Sequence, residues 1–205
     1  MTDAPGDHPL PHSGLHAQTA LVFVLHAGDV LYRQHQSSKD PLFFGRTGSY
    51  RFDDPRCPDK ASFGMLYTGE DPHCCFIESC GSTTGIPAVS GDYLSSREIA
   101  KLELTQELRF IDLASSGGLT HLGADGRLLT GSYKVAQQWS AALRLHSSKP
   151  DGIRYLARHD PTRVAYAIFE RPRSTFKVSS LGSLMSPANK ALLNRLLSDY
   201  NVALI

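Results

Sequence analysis

The chain has 205 residues, 41% of them apolar, a size and composition that fit one ordinary globular domain with a proper core. Lysine plus arginine (21) nearly balances aspartate plus glutamate (20), so no global field draws in nucleic acid or an anionic membrane, and any anion site must be local. The N-terminus MTDAPGDHPLPHSG lacks the basic start and apolar run of a secretory signal, no stretch approaches the roughly 18 apolar residues of a membrane span, and a cytoplasmic location is expected.

Residues 1–18 carry Pro5, Pro9 and Pro11 among His8, His12 and His16 at no fixed ligand spacing, and are expected to form a flexible lead-in to a single domain over 19–205. ALVFVLHAGDVLYRQH alternates apolar and β-branched residues around Gly28-Asp29, which predicts a first hairpin or a broken strand, with Arg33 at its end. From 36 to 62 the chain is rich in Gly, Pro, Asp and Ser. This predicts a long loop with little regular structure, a kind that tends to be functional.

FGMLYTGEDPHCCFIESCG (63–81) reads as a strand ending at Tyr67 and Thr68, a turn at Gly69-Glu70, and a helix with Asp71 as N-cap and Pro72 at its first position. Cys74, Cys75, Phe76 and Ile77 make this helix mostly buried, yet Glu78 follows them one turn on. A buried carboxylate there has to be paired, protonated or employed, with an arginine as its simplest partner. Cys57, Cys74, Cys75 and Cys80 contain no CxxC pair, and adjacent Cys74 and Cys75 point to different helix faces. Small reduced thiols are therefore expected, and no metal.

A second flexible segment, GSTTGIPAVSGDYLSS, precedes SREIAKLELTQEL, whose Ser cap and apolar Ile99, Leu102 and Leu104 predict a helix. LRFIDLAS (108–115) is a strand. After a Gly-containing connection comes a helix from about Tyr133 to His146, capped by Ser132, with Val135, Trp139, Ala142 and Leu143 on one face. GIRYLAR and RVAYAIFER pair as an antiparallel hairpin across HDPT, and STFKVSSLGSLM adds a strand. The last segment is an amphipathic helix with Leu192, Leu193, Leu196 and Leu197 inward. The order predicts an α+β fold with a mixed or antiparallel sheet core and flanking helices. No GxGxxG or GxxxxGK[ST] occurs, so the commonest nucleotide folds have no support.

LYR (31–33), YRFDDP (50–55), FGMLYTGED (63–71), Glu78, LRFIDL (108–113), TGSYKVAQQW (130–139), DGIRYLARHD (151–160) and AIFERP together resemble the RES domain family, over roughly residues 25–172. The resemblance implies an ADP-ribosyltransferase-like fold and an enzyme that destroys NAD, several relatives being toxins held by Xre/ParS-like antitoxins. Arg33 matches the arginine after the first strand, implied to hold a phosphate of NAD by bidentate charge-assisted bonds. Arg51 is implied to take a second phosphate or to pair with Glu78, while Asp53 and Asp54 are alternative partners for it. Tyr67 is implied to stack on nicotinamide and shield the glycosidic bond. Glu78 is implied to stabilise the oxocarbenium-like ribose as the nicotinamide–ribose bond breaks, without a metal. Ser132 is the candidate for the family serine, bonding a ribose hydroxyl or phosphate, though it also serves as a helix cap. Gln34, Ala136 and Leu156 depart from the family pattern. The chemistry implied is that of an NAD phosphorylase, with inorganic phosphate as co-substrate, or of an NAD glycohydrolase. The alternatives are a protein ADP-ribosyltransferase and a catalytically inactive partner-binding scaffold.

Overall fold

The computed structural model describes residues 6–81 and 87–205. The strands of the main sheet are β1 (Val22–Leu25), β2 (Val30–Gln36), β3 (Met65–Gly69), then, after a short β4 (Ala88–Val89), β5 (Arg97–Leu104), β6 (Leu108–Asp112), β7 (Gly152–Leu156), β8 (Val164–Phe169) and β9 (Phe176–Gly182). They form one eight-stranded sheet in the order β1-β6-β7-β8-β3-β2-β5-β9, in which only β6 and β7 run parallel. The helices are α1 (Pro72–Cys80), α2 (Gly91–Ser95), α3 (Arg127–Thr130), α4 (Tyr133–Arg144) and α5 (Lys190–Asp199), and a terminal β10 (Ala203–Leu204) pairs with β4. This is the α+β architecture with a mixed, mostly antiparallel sheet that the sequence predicts. No described helix is long and apolar enough to cross a membrane.

Side chains of alternate parity leave the strands on opposite faces. Met65, Ile111, Ile153, Ala165, Ala167 and Phe169 meet Trp139, Ala136 and Leu143 of α4 on one face. On the other, Leu66, Leu102, Leu104, Phe110, Tyr166 and Ile168 meet each other with no helix between them, because the sheet curls back on itself. Phe76 of α1, Leu94 of α2 and Leu193 and Leu196 of α5 cover Ile99 of β5 as a third cluster.

Three expectations need correction, and the choice between hairpin and broken strand falls to the broken strand: β1 and β2 do not pair with each other. β1 pairs with β6 and β2 with β5, the two arms of one turn, so the Gly28 bend (φ +94°) carries the chain from one strand to the other instead of folding it back. The segment 97–104 is strand β5, not a helix, since the two-residue spacing of buried Leu102 and Leu104 outweighs the serine cap. The lead-in is part of the core over its described portion: Leu15 is buried, and His8 packs edge-on to Trp139, whose Nε1 donates to Pro9 O at 2.8 Å. Residues 1–5 lie outside the described residues, as do 82–86 of the second flexible segment, whose remainder forms β4 and α2.

The loop 36–62 does lack regular elements, yet it is anchored deeply. Arg51, Phe52, Asp53 and Asp54 are all buried. From α4, Gln137 Nε2 donates to the carbonyls of Gly48 and Tyr50, both at 2.9 Å, and Ser140 Oγ donates to Phe52 O at 2.7 Å. Such bonds satisfy the backbone groups that a strand ladder would otherwise serve.

Candidate active site

β2 and β3 are neighbours in the sheet but pair only at Tyr32 and Gly69. Beyond that point Met65 bridges instead to Gly45 of the long loop, and the two strands splay apart. A cavity of about 420 Å³ fills the split, within the usual ~300–1,000 Å³ of small-molecule sites. Its walls include Arg33 to Gln36 of β2, Tyr67 of β3, and Glu78 of α1.

α1 is aimed at this cavity by its cap and by Gly69. Asp71 Oδ1 accepts from Cys74 N at 2.8 Å, opening the helix as the sequence predicts. A Cβ on Gly69 would sit 2.7 Å from Cys74 Cβ, so only glycine lets strand end and helix approach this closely. Phe76 turns into the core while Cys74, Cys75 and Glu78 line the cavity. Glu78 is thus exposed, not buried, and no arginine side chain pairs with it among the described residues. Its Oε1 accepts the main-chain N–H of Arg158 at 2.7 Å. The apolar run before it covers the other faces of the helix, which the run itself does not reveal. Burial pushes the Cys75 thiol up to about 12, which keeps it neutral and a poor competitor as nucleophile.

Tyr67 presents its ring to the cavity, with its hydroxyl fixed behind it. That hydroxyl donates to Asp53 Oδ1 at 3.0 Å and accepts from Phe52 N at 2.9 Å. Burial and the adjacent Asp53 hold the phenol well above its ordinary range. Tyr50, exposed at the cavity mouth, leans on Tyr67 with ring centroids 5.5 Å apart. Asp53 accepts as well from Tyr50 N and Thr47 Oγ1, and burial raises its carboxyl. Asp54 is taken by Arg56 (2.7 Å) and Phe63 N (2.9 Å). Neither aspartate pairs with Arg51.

Away from the cavity, Arg46, Arg56, Arg109, Arg127, Arg154, Arg163, Arg171 and Arg173 have carboxylate partners, while Arg144 and Arg195 have none among the described residues. Arg33, Arg51, Arg97 and Arg158 line it, and none has one among the described residues. Glu78 is the only carboxylate in the lining, also among the described residues. Arg33 donates to the carbonyls of Pro41 and Phe43 (2.8 and 3.0 Å), and burial lowers it to about 10. Arg51 donates to Leu128 O and Gly131 O (3.3 and 3.0 Å), lies 4.5 Å over the Tyr133 ring, and leaves its buried Nη2 without a partner. Burial lowers its pKa too. These guanidiniums are held by neutral carbonyls and an aromatic ring, with no carboxylate neutralising them among the described residues, an arrangement chemically suited to an oxyanion.

Four of the five sequence-derived candidates, Arg33, Arg51, Tyr67 and Glu78, therefore meet at one cavity. Ser132 does not line it, and its hydroxyl makes no cap bond. Its N–H donates to Asp7 Oδ1 at 3.2 Å instead, so the predicted side-chain cap is absent. Of the departures from the family pattern, Gln34 and Leu156 line the cavity, whereas Ala136 is core. Tyr93, Arg97 and Tyr133 escaped the sequence reading, because each reaches the site through a cation–π pair that no spacing signals. Among the described residues no group of His, Cys, Asp and Glu converges to hold a metal.

A family model described as the RES domain matches residues 30–185. Among curated proteins, "Probable toxin y4kH" of Sinorhizobium fredii is 31% identical over 106 residues, covering 52% of this chain and 81% of that protein. Among solved structures, the crystal structure of the M. tuberculosis MbcT-MbcA toxin-antitoxin complex contains a chain that aligns with TM-score 0.56 and 17% identity, over 85% of this chain and 92% of that one, a likeness of fold. The matched span runs from the first residue of β2 to beyond β9 and takes in every wall of the cavity, and the chain belongs to the RES domain family.

Proposed function

We propose that this protein cleaves the nicotinamide–ribose bond of NAD and acts as the toxin of a toxin–antitoxin pair. The observation that carries the reading is the cavity: one carboxylate, Glu78, beside arginines that lack carboxylate partners, with Tyr67 clamped at its wall. Arg33 and Arg51 suit a diphosphate, since planar guanidiniums bind phosphate oxygens bidentately. The Tyr67 ring gives nicotinamide a flat, water-excluding neighbour. Glu78 has its Oε1 on Arg158 N–H, which leaves Oε2 to face the ribose. As the C1′–N bond breaks, its electron pair leaves with nicotinamide, which departs neutral and needs little acid help. The ribose gains oxocarbenium character, and a fixed carboxylate stabilises that charge. An oxygen of water or phosphate then bonds to C1′ and gives up its proton. Water makes the enzyme a glycohydrolase, inorganic phosphate a phosphorylase.

The toxin assignment draws on relatives: y4kH is named a probable toxin, and the MbcT chain was solved in a toxin–antitoxin complex. The antitoxin proposed here is a protein of the Xre/ParS type, acting in the cytoplasm. Purified protein incubated with NAD, with and without inorganic phosphate, tests the chemistry by product mass. ADP-ribose-1″-phosphate appearing only with phosphate supports a phosphorylase, and free ADP-ribose in both supports a hydrolase. Intact NAD in both overturns the reading.

A further inference from the structure

The cavity holds more positive charge than a nicotinamide dinucleotide needs. Arg33 and Arg51 account for its two phosphates, and Lys39, Arg97 and Arg158 remain. Lys39 and Arg158 are exposed. Arg97 is different, being half-buried and fixed. Its guanidinium lies 4.2 Å over the Tyr93 ring. Tyr93 is itself held at both ends, its hydroxyl donating to Ser79 O at 3.1 Å and its N–H to Ser90 Oγ at 3.1 Å. Among the described residues Arg97 has no carboxylate partner, and its buried Nε has no acceptor at all. Stacking occupies one face of a guanidinium and leaves its edge N–H groups to bind.

Register places this group relative to the others. Arg97 stands opposite Gln36 on β2, whereas Arg33 stands opposite Ala100. The two arginines are therefore rooted three residues apart along the paired strands, about 10 Å at the usual strand rise, and the odd offset puts them on opposite faces of the ladder. Arg33 shares the face of Leu31 and Ala100 and Arg97 that of Ile99, and both reach the cavity where β2 and β3 part, so Arg97 holds its ligand apart from Arg33. The geometry points to a third oxyanion subsite at Arg97, built for a phosphate monoester dianion and separate from the diphosphate grip of Arg33 and Arg51. This rests on the dinucleotide reading above and extends it. The dianion has two sources. One is the 2′-phosphate of the adenosine ribose, which would make NADP a substrate, and the other is free inorganic phosphate waiting as acceptor.

Binding, not turnover, tests it. Wild type, Arg97→Gln and Arg97→Lys are titrated by calorimetry with adenosine 5′-diphosphate, with adenosine 2′,5′-bisphosphate, and with inorganic phosphate in the presence and absence of the diphosphate. If the 2′-phosphate is the ligand, wild type prefers the bisphosphate by roughly tenfold or more, and Arg97→Gln abolishes the preference. If free phosphate is the ligand, wild type binds it and Arg97→Gln loses that binding by a similar factor. Arg97→Lys keeps the charge without the flat fork and should retain only part of either effect, which carries the test should the glutamine variant fail to fold. Absence of both effects in wild type, or their persistence in Arg97→Gln, overturns the subsite. Intact NAD alongside Arg97-dependent phosphate binding would overturn the enzymatic reading alone.

Discussion

The hydroxyl of Tyr67 donates to Asp53 Oδ1 at 3.0 Å while accepting Phe52 N at 2.9 Å, so one phenol joins a core strand to the buried turn of the long loop. Tyr67→Phe keeps the ring and removes the joint. A buried carboxylate then loses a donor and a main-chain N–H loses its acceptor, which should cost about 1–3 kcal/mol. Urea denaturation of the two proteins checks this. A loss below about 0.3 kcal/mol would mean that the loop is held without the phenol.

Asp53 also makes stability depend on pH in a definite direction. Burial raises its carboxyl, so the folded protein holds this proton more tightly than the unfolded chain, whose aspartates titrate near about 3.9. The stability it contributes is full below that unfolded value and is lost as pH rises through the higher folded one. Asp53→Asn removes the titration. The stability of wild type relative to Asp53→Asn should therefore fall from pH ~4 upward and level off once Asp53 is ionised. Unfolding free energies of both proteins across that range are the check, and a difference that grows with pH would contradict it.

Glu78→Gln should separate chemistry from folding. The glutamine carbonyl can still accept the Arg158 N–H that Oε1 accepts now, and the side chain is exposed, so the melting temperature should move by less than ~2 °C. Losing the fixed negative charge should lower kcat/KM for NAD by roughly 10²–10³-fold. Equal activity in the two proteins would remove Glu78 from the mechanism.

How far the sequence reveals this site depends on the range of the contacts involved. The strand–turn–helix at 63–81 is legible because its signals are local: the Asp71 cap, Pro72 beside it and the apolar strand before it. The hairpin of β7 and β8 is legible for the same reason, with Asp160 in its turn accepting from Thr162. Partners across the sheet are not local. Alternation identifies β1 and β2 as strands but says nothing of their neighbours, which is why it leaves hairpin and broken strand open where the structure has the broken strand. Arg33, Arg51, Tyr67 and Glu78 emerge from a family resemblance. Their convergence follows from the splaying of β2 from β3, which needs Gly45 on Met65 and is invisible along the chain. The exposure of Glu78 is misread because four apolar neighbours describe the helix's other faces.

Gly69 is where fold and site are joined most tightly. It pairs with Tyr32 on one side and Ala165 on the other, at the point where β2 and β3 part. Gly69→Ala would place a methyl 2.7 Å from Cys74 Cβ and 2.9 Å from Cys74 Sγ, with Cys75 N at 3.2 Å. Strand and helix backbones both have to give, and overpacking of this kind costs about 1–3 kcal/mol. Because α1 carries Glu78, the relief movement displaces the carboxylate. kcat should therefore fall more than KM rises, by about tenfold or more for a shift near 1 Å. Adding Cys74→Ala removes the sulfur contact but not the Cβ contact, so the double variant should recover part of the stability and part of kcat. Thermal melts and NAD kinetics on the four proteins of the cycle measure that coupling. Purely additive losses would place the strain elsewhere than between Gly69 and Cys74.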